Sequence, residues 1–107
     1  MEQEDKFKEQ FAELIRTQLG LFRKIAFQIV NSHADADDAV QTAFIRAWEK
    51  RSCFHGDPGA LSAWVQRIIV SVSYDLLRKR MRDQRRHGDL QILESAPDTH
   101  DPDLEML

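Results

Sequence analysis

Residues 35–48 read DADDAVQTAFIRAW. Three aspartates precede a stretch in which Val40, Phe44, Ala47 and Trp48 recur at the intervals that line one face of an α-helix. Carboxylates at the start favour the positive end of the helix dipole. Either Ser32 or Asp35 can cap the free backbone N–H groups of the first turn. The spacing predicts a helix from near Asp35 to about Lys50. Gln41, Ile45 and Arg46 lie off its apolar stripe, where burial does not require them. The segment is either a well-capped core helix alone or one whose polar face also serves as a docking surface.

The same periodicity extends outward in both directions. Phe7, Phe11, Leu14, Ile15, Leu19, Phe22, Ile25, Ala26 and Ile29 predict a helix over 5–31, with Gly20 as a site for a kink or a break. Asn31-Ser32-His33 is a turn signal. Residues 51–59, RSCFHGDPG, form a loop, and Asp57-Pro58 has the form of a helix cap followed by proline in the first turn. Leu61, Trp64, Val65, Ile68, Val72 and Leu76 predict a last helix reaching about Arg86. Within it IIVSVSY (68–74) is β-branched and partly alternating, which favours a strand. The longer 3.6-residue period, and the lack of a second strand to pair with, favour helix. The fold class is all-α: a compact bundle of three to four helices with a long C-terminal basic helix. One domain is expected over residues 1–87, and 88–107 as an acidic interdomain linker or flexible tail.

The chain's 107 residues amount to one domain, and 42% hydrophobic residues suffice for a small core. One cysteine, Cys53, excludes an internal disulfide and favours a reducing compartment. The N-terminus MEQEDKFKEQ is charged and has no signal-peptide core, and no apolar run approaches the roughly 18 residues of a membrane span. The net charge of −3 conceals an asymmetry. Residues 88–107 hold six acids and no Lys or Arg, whereas 75–87 hold six Lys/Arg against Asp75 and Asp83. The segment RKRMRDQRR (78–86) is denser than a helix dipole requires and suits phosphates or an acidic partner. Of the aromatics near it, Trp64 falls on the apolar stripe, while Phe54 sits in the loop, where a base could stack on it. A structural zinc site needs four ligands, and Cys53 and His55 are accompanied only by scattered histidines. The acids Asp35, Asp37 and Asp38 lie where caps belong, and Cys53 with His55 makes a poor nucleophile–base pair. An enzyme is not expected.

DADDAVQTAFIRAWEK (35–50), a short loop containing Phe54-x-Gly56, and AWVQRIIVSVSYDLLRKR (63–80) together resemble region 2 of bacterial sigma factors of the extracytoplasmic-function type. The family's steps are met by Asp38 and Gln41, by Phe44 and Trp48, and by Trp64, Val65, Arg67, Ile68, Asp75 and Arg78, over about residues 7–82. The resemblance implies a helical bundle whose 35–50 helix docks on the clamp helices of the RNA polymerase β′ subunit. Asp35, Asp38, Gln41, Ile45, Arg46 and Glu49 would lie at that contact. The loop and the start of the last helix would read the promoter −10 element on the non-template strand, after a base flips from the stack. Phe54, His55, Gly56, Asp57, Trp64, Arg67 and Ser71 would take that part. Arg78, Lys79, Arg80, Arg82, Arg85 and Arg86 would hold the DNA backbone. An anti-sigma factor is a further implied partner. No cofactor or membrane insertion is implied, and a cytoplasmic monomer is expected when the protein is free.

Ser71 stands where the family has asparagine, and Val70 where a polar or basic residue is usual. A hydroxyl cannot offer the rigid donor–acceptor pair of an amide, so the family's base preference does not carry over. Ala63 replaces the second tryptophan of housekeeping sigma factors, which fits the extracytoplasmic-function type and weaker strand opening. The helix-turn-helix region that reads the −35 element is absent, so a fragment is expected. The alternative is a helical domain that binds anti-sigma factors or acts as a decoy, with no DNA binding of its own.

Overall fold

The computed structural model describes the backbone of residues 2–86 and the side chains of 4–85. The acidic segment 88–107 and the side chain of Arg86 lie outside the described residues. Three α-helices, α1 (Glu2–Val30), α2 (His33–Glu49) and α3 (Leu61–Arg86), pack against one another, and two single 3₁₀ turns, Arg51–Cys53 and Pro58–Ala60, shape the loop before α3. Among the described residues there is no strand.

α1 runs unbroken through Gly20, so the expected kink or break does not occur. The apolar residues on either side, Leu14, Phe22 and Ala26, are buried on one face and hold the helix across the weak point. Asn31 ends α1 in the left-handed region at φ 57°, a conformation asparagine tolerates, and its N–H donates to the Phe27 carbonyl at 2.7 Å. α2 then starts at His33, two residues ahead of the expected Asp35. Extended Ser32 is its cap, and the Ser32 Oγ accepts from the Asp35 N–H at 3.2 Å. The Asp57 side chain does not cap. Its carbonyl accepts from the Ala60 N–H at 2.8 Å instead.

The β-branched IIVSVSY stretch is helical. Ile68, Ile69, Val72 and Ser73 bury at helical spacing against α1 and α2, and this tertiary contact outweighs local β-propensity. On α2 the buried row is Ala36, Ala39, Val40, Ala43 and Ala47. Phe44 and Trp48, expected in the stripe, are half-buried at its edge, where their rings meet Phe11 and Phe22 of α1. α2 is wedged between two helices, so small side chains fill the centre and large ones fill the seam.

Candidate binding surfaces

One flank of α2 faces α1. The Arg23 Nε donates to Asp37 Oδ1 at 2.8 Å. That hydrogen bond, reinforced by the charges of Arg23 and His33 and opposed by desolvation, holds the Asp37 carboxyl below its ordinary value. The other flank faces α3. Arg80 grips both oxygens of Asp35, Nη2 to Oδ1 at 2.8 Å and Nε to Oδ2 at 3.3 Å, and Arg46 lies 3.8 Å from Asp75. Between the flanks, Asp38, Gln41, Ile45 and Glu49 project to solvent, with Ile45 61% exposed. The six residues expected to form one docking face therefore divide. Four form the outward face, while Asp35 and Arg46 are engaged with α3.

The Arg23–Asp37 bond also marks the register in which the core packs α1 against α2. Four residues back along α1 and four forward along α2 bring Leu19 level with Gln41, and four more bring Ile15 level with Ile45. Leu19 is 37% exposed. Sequence periodicity assigned it to the core, whereas in the fold it is partly exposed.

The loop aromatic is not free. Phe54 is half-buried, its ring 5.2 Å from Trp64 and 6.3 Å from Phe7. Phe7 stacks in turn on Phe11 at 5.5 Å, and Phe11 on Trp48 at 6.1 Å. Gly56 fits closely under this packing: a Cβ there would stand 3.2 Å from the Phe54 ring and 3.0 Å from the Ala60 Cβ, so those neighbours would have to give by a few tenths of an ångström. Arg51 lies 4.2 Å over the Trp48 ring and donates to Glu4 at 2.9 Å, tying the loop to the first turns of α1. Between that end of α1 and the loop opens a cleft of about 550 Å³, bordered by Lys6, Phe7, Gln10, Ser52, Phe54 and His55. Its size is in the range that holds a small organic group. Lys6 and Gln10 were not anticipated as site residues, because nothing in a single helix links residue 6 to residue 55.

On α3, Trp64, Arg67, Ser71, Asp75, Arg78, Arg82 and Arg85 follow one another at intervals of three or four, which puts them on one helix face. Arg67, Arg82 and Arg85 are exposed. Asp75 interrupts this basic stripe but bonds Arg78 at 2.6 Å. His55 and Asp57 are exposed in the loop, and Lys79 is exposed beside the stripe. Arg80 lies off it, toward α2. Among the described residues no cluster of His, Cys, Asp and Glu could hold a metal ion, and no helix is long and apolar enough to cross a membrane.

A small helical domain with an outward polar helix face, a basic stripe and an aromatic-walled cleft has the surfaces of a binding module. The family model for sigma-70 region 2 matches residues 14–83. The ECF RNA polymerase sigma factor SigE of Mycolicibacterium smegmatis is 31% identical over 70 residues, which is 65% of this chain and 26% of that protein. The chain thus aligns with only about a quarter of the length of this relative. No solved structure matches. The chain belongs to the sigma-70 region 2 family, as a domain of the extracytoplasmic-function type.

Proposed function

We propose that this domain joins core RNA polymerase to promoter −10 DNA, docking on the β′ clamp helices through the outward face of α2 and holding the non-template strand along the loop and α3. The observation that carries the reading is the presence of two exposed surfaces on separate helices, each of which also contributes buried residues to the core. Asp38, Gln41, Ile45 and Glu49 face one way on α2, and Arg67, Arg82 and Arg85 share a stripe on α3. Family membership supports assigning the first to polymerase and the second to DNA.

The chemistry is non-covalent. Unstacking a base costs a few kcal/mol. A cleft walled by Phe7 and Phe54, with Gln10, Ser52 and His55 at its edge to pair with a base, offsets that cost. Phosphate contacts along α3 add a salt-dependent attraction. Phe54 acts as the cleft's wall, held by Trp64, rather than as a free stacking platform. An anti-sigma factor would silence the domain by covering Gln41, Ile45 and Leu19.

Pull-down with a β′ clamp-helix fragment tests the docking half. Gln41→Ala with Ile45→Glu is expected to abolish capture while leaving thermal stability unchanged, since both side chains are exposed. Capture undiminished in that folded variant overturns the assignment. Binding of a fluorescent single-stranded −10 oligonucleotide tests the other half. Its absence at low salt would favour the domain that binds only proteins.

A further inference from the structure

Arg80 stands apart from the other cations of the basic segment. Its guanidinium forms a two-pronged bond to Asp35, at 2.8 and 3.3 Å. The Asp35 side chain is only 21% exposed, against 47% for Arg80. Asp35 lies in the first turn of α2, where the helix dipole stabilises its charge and Ser32 fixes its backbone. Asp38 and Asp83 add their fields at Arg80 in the same sense as Asp35. Arg80 is thus engaged by the Asp35 carboxylate, while Arg82 and Arg85 are exposed on a different face of the helix. A fork-to-fork pair of this kind has a defined geometry, and a passing phosphate must displace a carboxylate already in place.

We propose that Asp35 withholds Arg80 from nucleic acid, so that Arg80 is a positioning residue that clasps α3 to α2 and becomes a phosphate ligand only when Asp35 is neutralised or drawn to another cation. The inference rests on the DNA-binding reading above. It also gives the domain a link between its two surfaces. A basic side chain of a partner docked on α2 that takes the Asp35 carboxylate releases one more cation for DNA.

The test is the salt dependence of binding to a fluorescent oligothymidylate, measured between about 50 and 200 mM salt, where each single-strand phosphate contact contributes about 0.7 to the logarithmic slope. Arg80→Gln is expected to leave the wild-type slope unchanged. Asp35→Asn is expected to steepen it by about 0.7 and tighten binding, and adding Arg80→Gln to Asp35→Asn to reverse both changes. A flatter slope in Arg80→Gln alone, no steepening in Asp35→Asn, or a gain that survives in the double variant overturns the inference. A wild-type measurement needs no folded variant. The Arg80 Nε–H resonance is expected to stay in place as oligothymidylate is added while those of Arg82 and Arg85 move, and an Arg80 resonance that moves with them overturns the clasp. If Arg82→Gln with Arg85→Gln leaves the slope unaltered, the DNA-binding reading itself fails and the inference falls with it. If that pair flattens the slope while Asp35→Asn does nothing, only the inference fails.

Discussion

Ser73 is fully buried on α3, and its Oγ is the one buried side-chain polar atom without a hydrogen-bond partner among the described residues. An unsatisfied hydroxyl costs on the order of 1–3 kcal/mol, and alanine is also the better helix former. Ser73→Ala is therefore expected to raise unfolding free energy by about 1 kcal/mol in urea titrations. Gly20 is exposed in the middle of α1 with open space where a Cβ would stand. Gly20→Ala should add about 1 kcal/mol, read the same way, and an unchanged midpoint would mean that α1 is not helical there. Asp37 behaves differently, because its contribution depends on pH. Its carboxyl is held below 3.8 by the Arg23 hydrogen bond, so the stabilisation is present above that pH and lost as pH falls through the lower folded value. Asp37→Asn is expected to lower the melting temperature at neutral pH, with the gap to wild type closing below pH 3.8. Thermal melts across that range check it.

At the scale of elements, the aromatic cluster holds the start of α1, the end of α2 and the loop together. Phe7 lies within ring-contact distance of Phe11, Trp48, Phe54 and Trp64, at 5.5, 6.1, 6.3 and 6.4 Å. Phe7→Ala should cost about 2 kcal/mol, less than for a fully enclosed phenylalanine. It should also loosen the loop, seen as faster proteolysis within 51–57 and weaker oligonucleotide binding. A variant with lower stability but unchanged loop cleavage would show that Arg51 and Trp64 suffice to hold Phe54. The alanine row of α2 serves the same assembly from the other side. Small residues at the centre let α1 and α3 close on α2, so the bulky Phe44 and Trp48 can pack at the seam.

At the scale of the molecule, the two proposed surfaces are on different helices. Gln41→Ala with Ile45→Glu is expected to remove β′ capture and keep oligonucleotide binding, and Arg82→Gln with Arg85→Gln to do the reverse. Loss of both activities in either variant, with the fold intact by circular dichroism, would mean that the surfaces are not separable. Besides the shared core, two ion pairs, Asp35 with Arg80 and Arg46 with Asp75, tie the helices that carry them.

Helical periodicity was enough to place three helices, the loop between the second and third, and most of the apolar faces, because a helix repeats its environment every three or four residues. The outward residues Gln41 and Ile45, and the cations of α3, were legible for the same reason: a periodic core leaves its complement exposed. Pairings across the chain were not legible. Arg80 reaches a residue 45 positions away, and Arg51 one 47 positions away, and no local pattern encodes such contacts. The tertiary structure alone decided that Phe54 packs against Trp64 and Phe7 rather than standing free, that Leu19 is partly exposed, and that Asp35 and Arg80 hold each other. Which faces a helix has follows from its sequence, but what each face meets depends on how the helices pack.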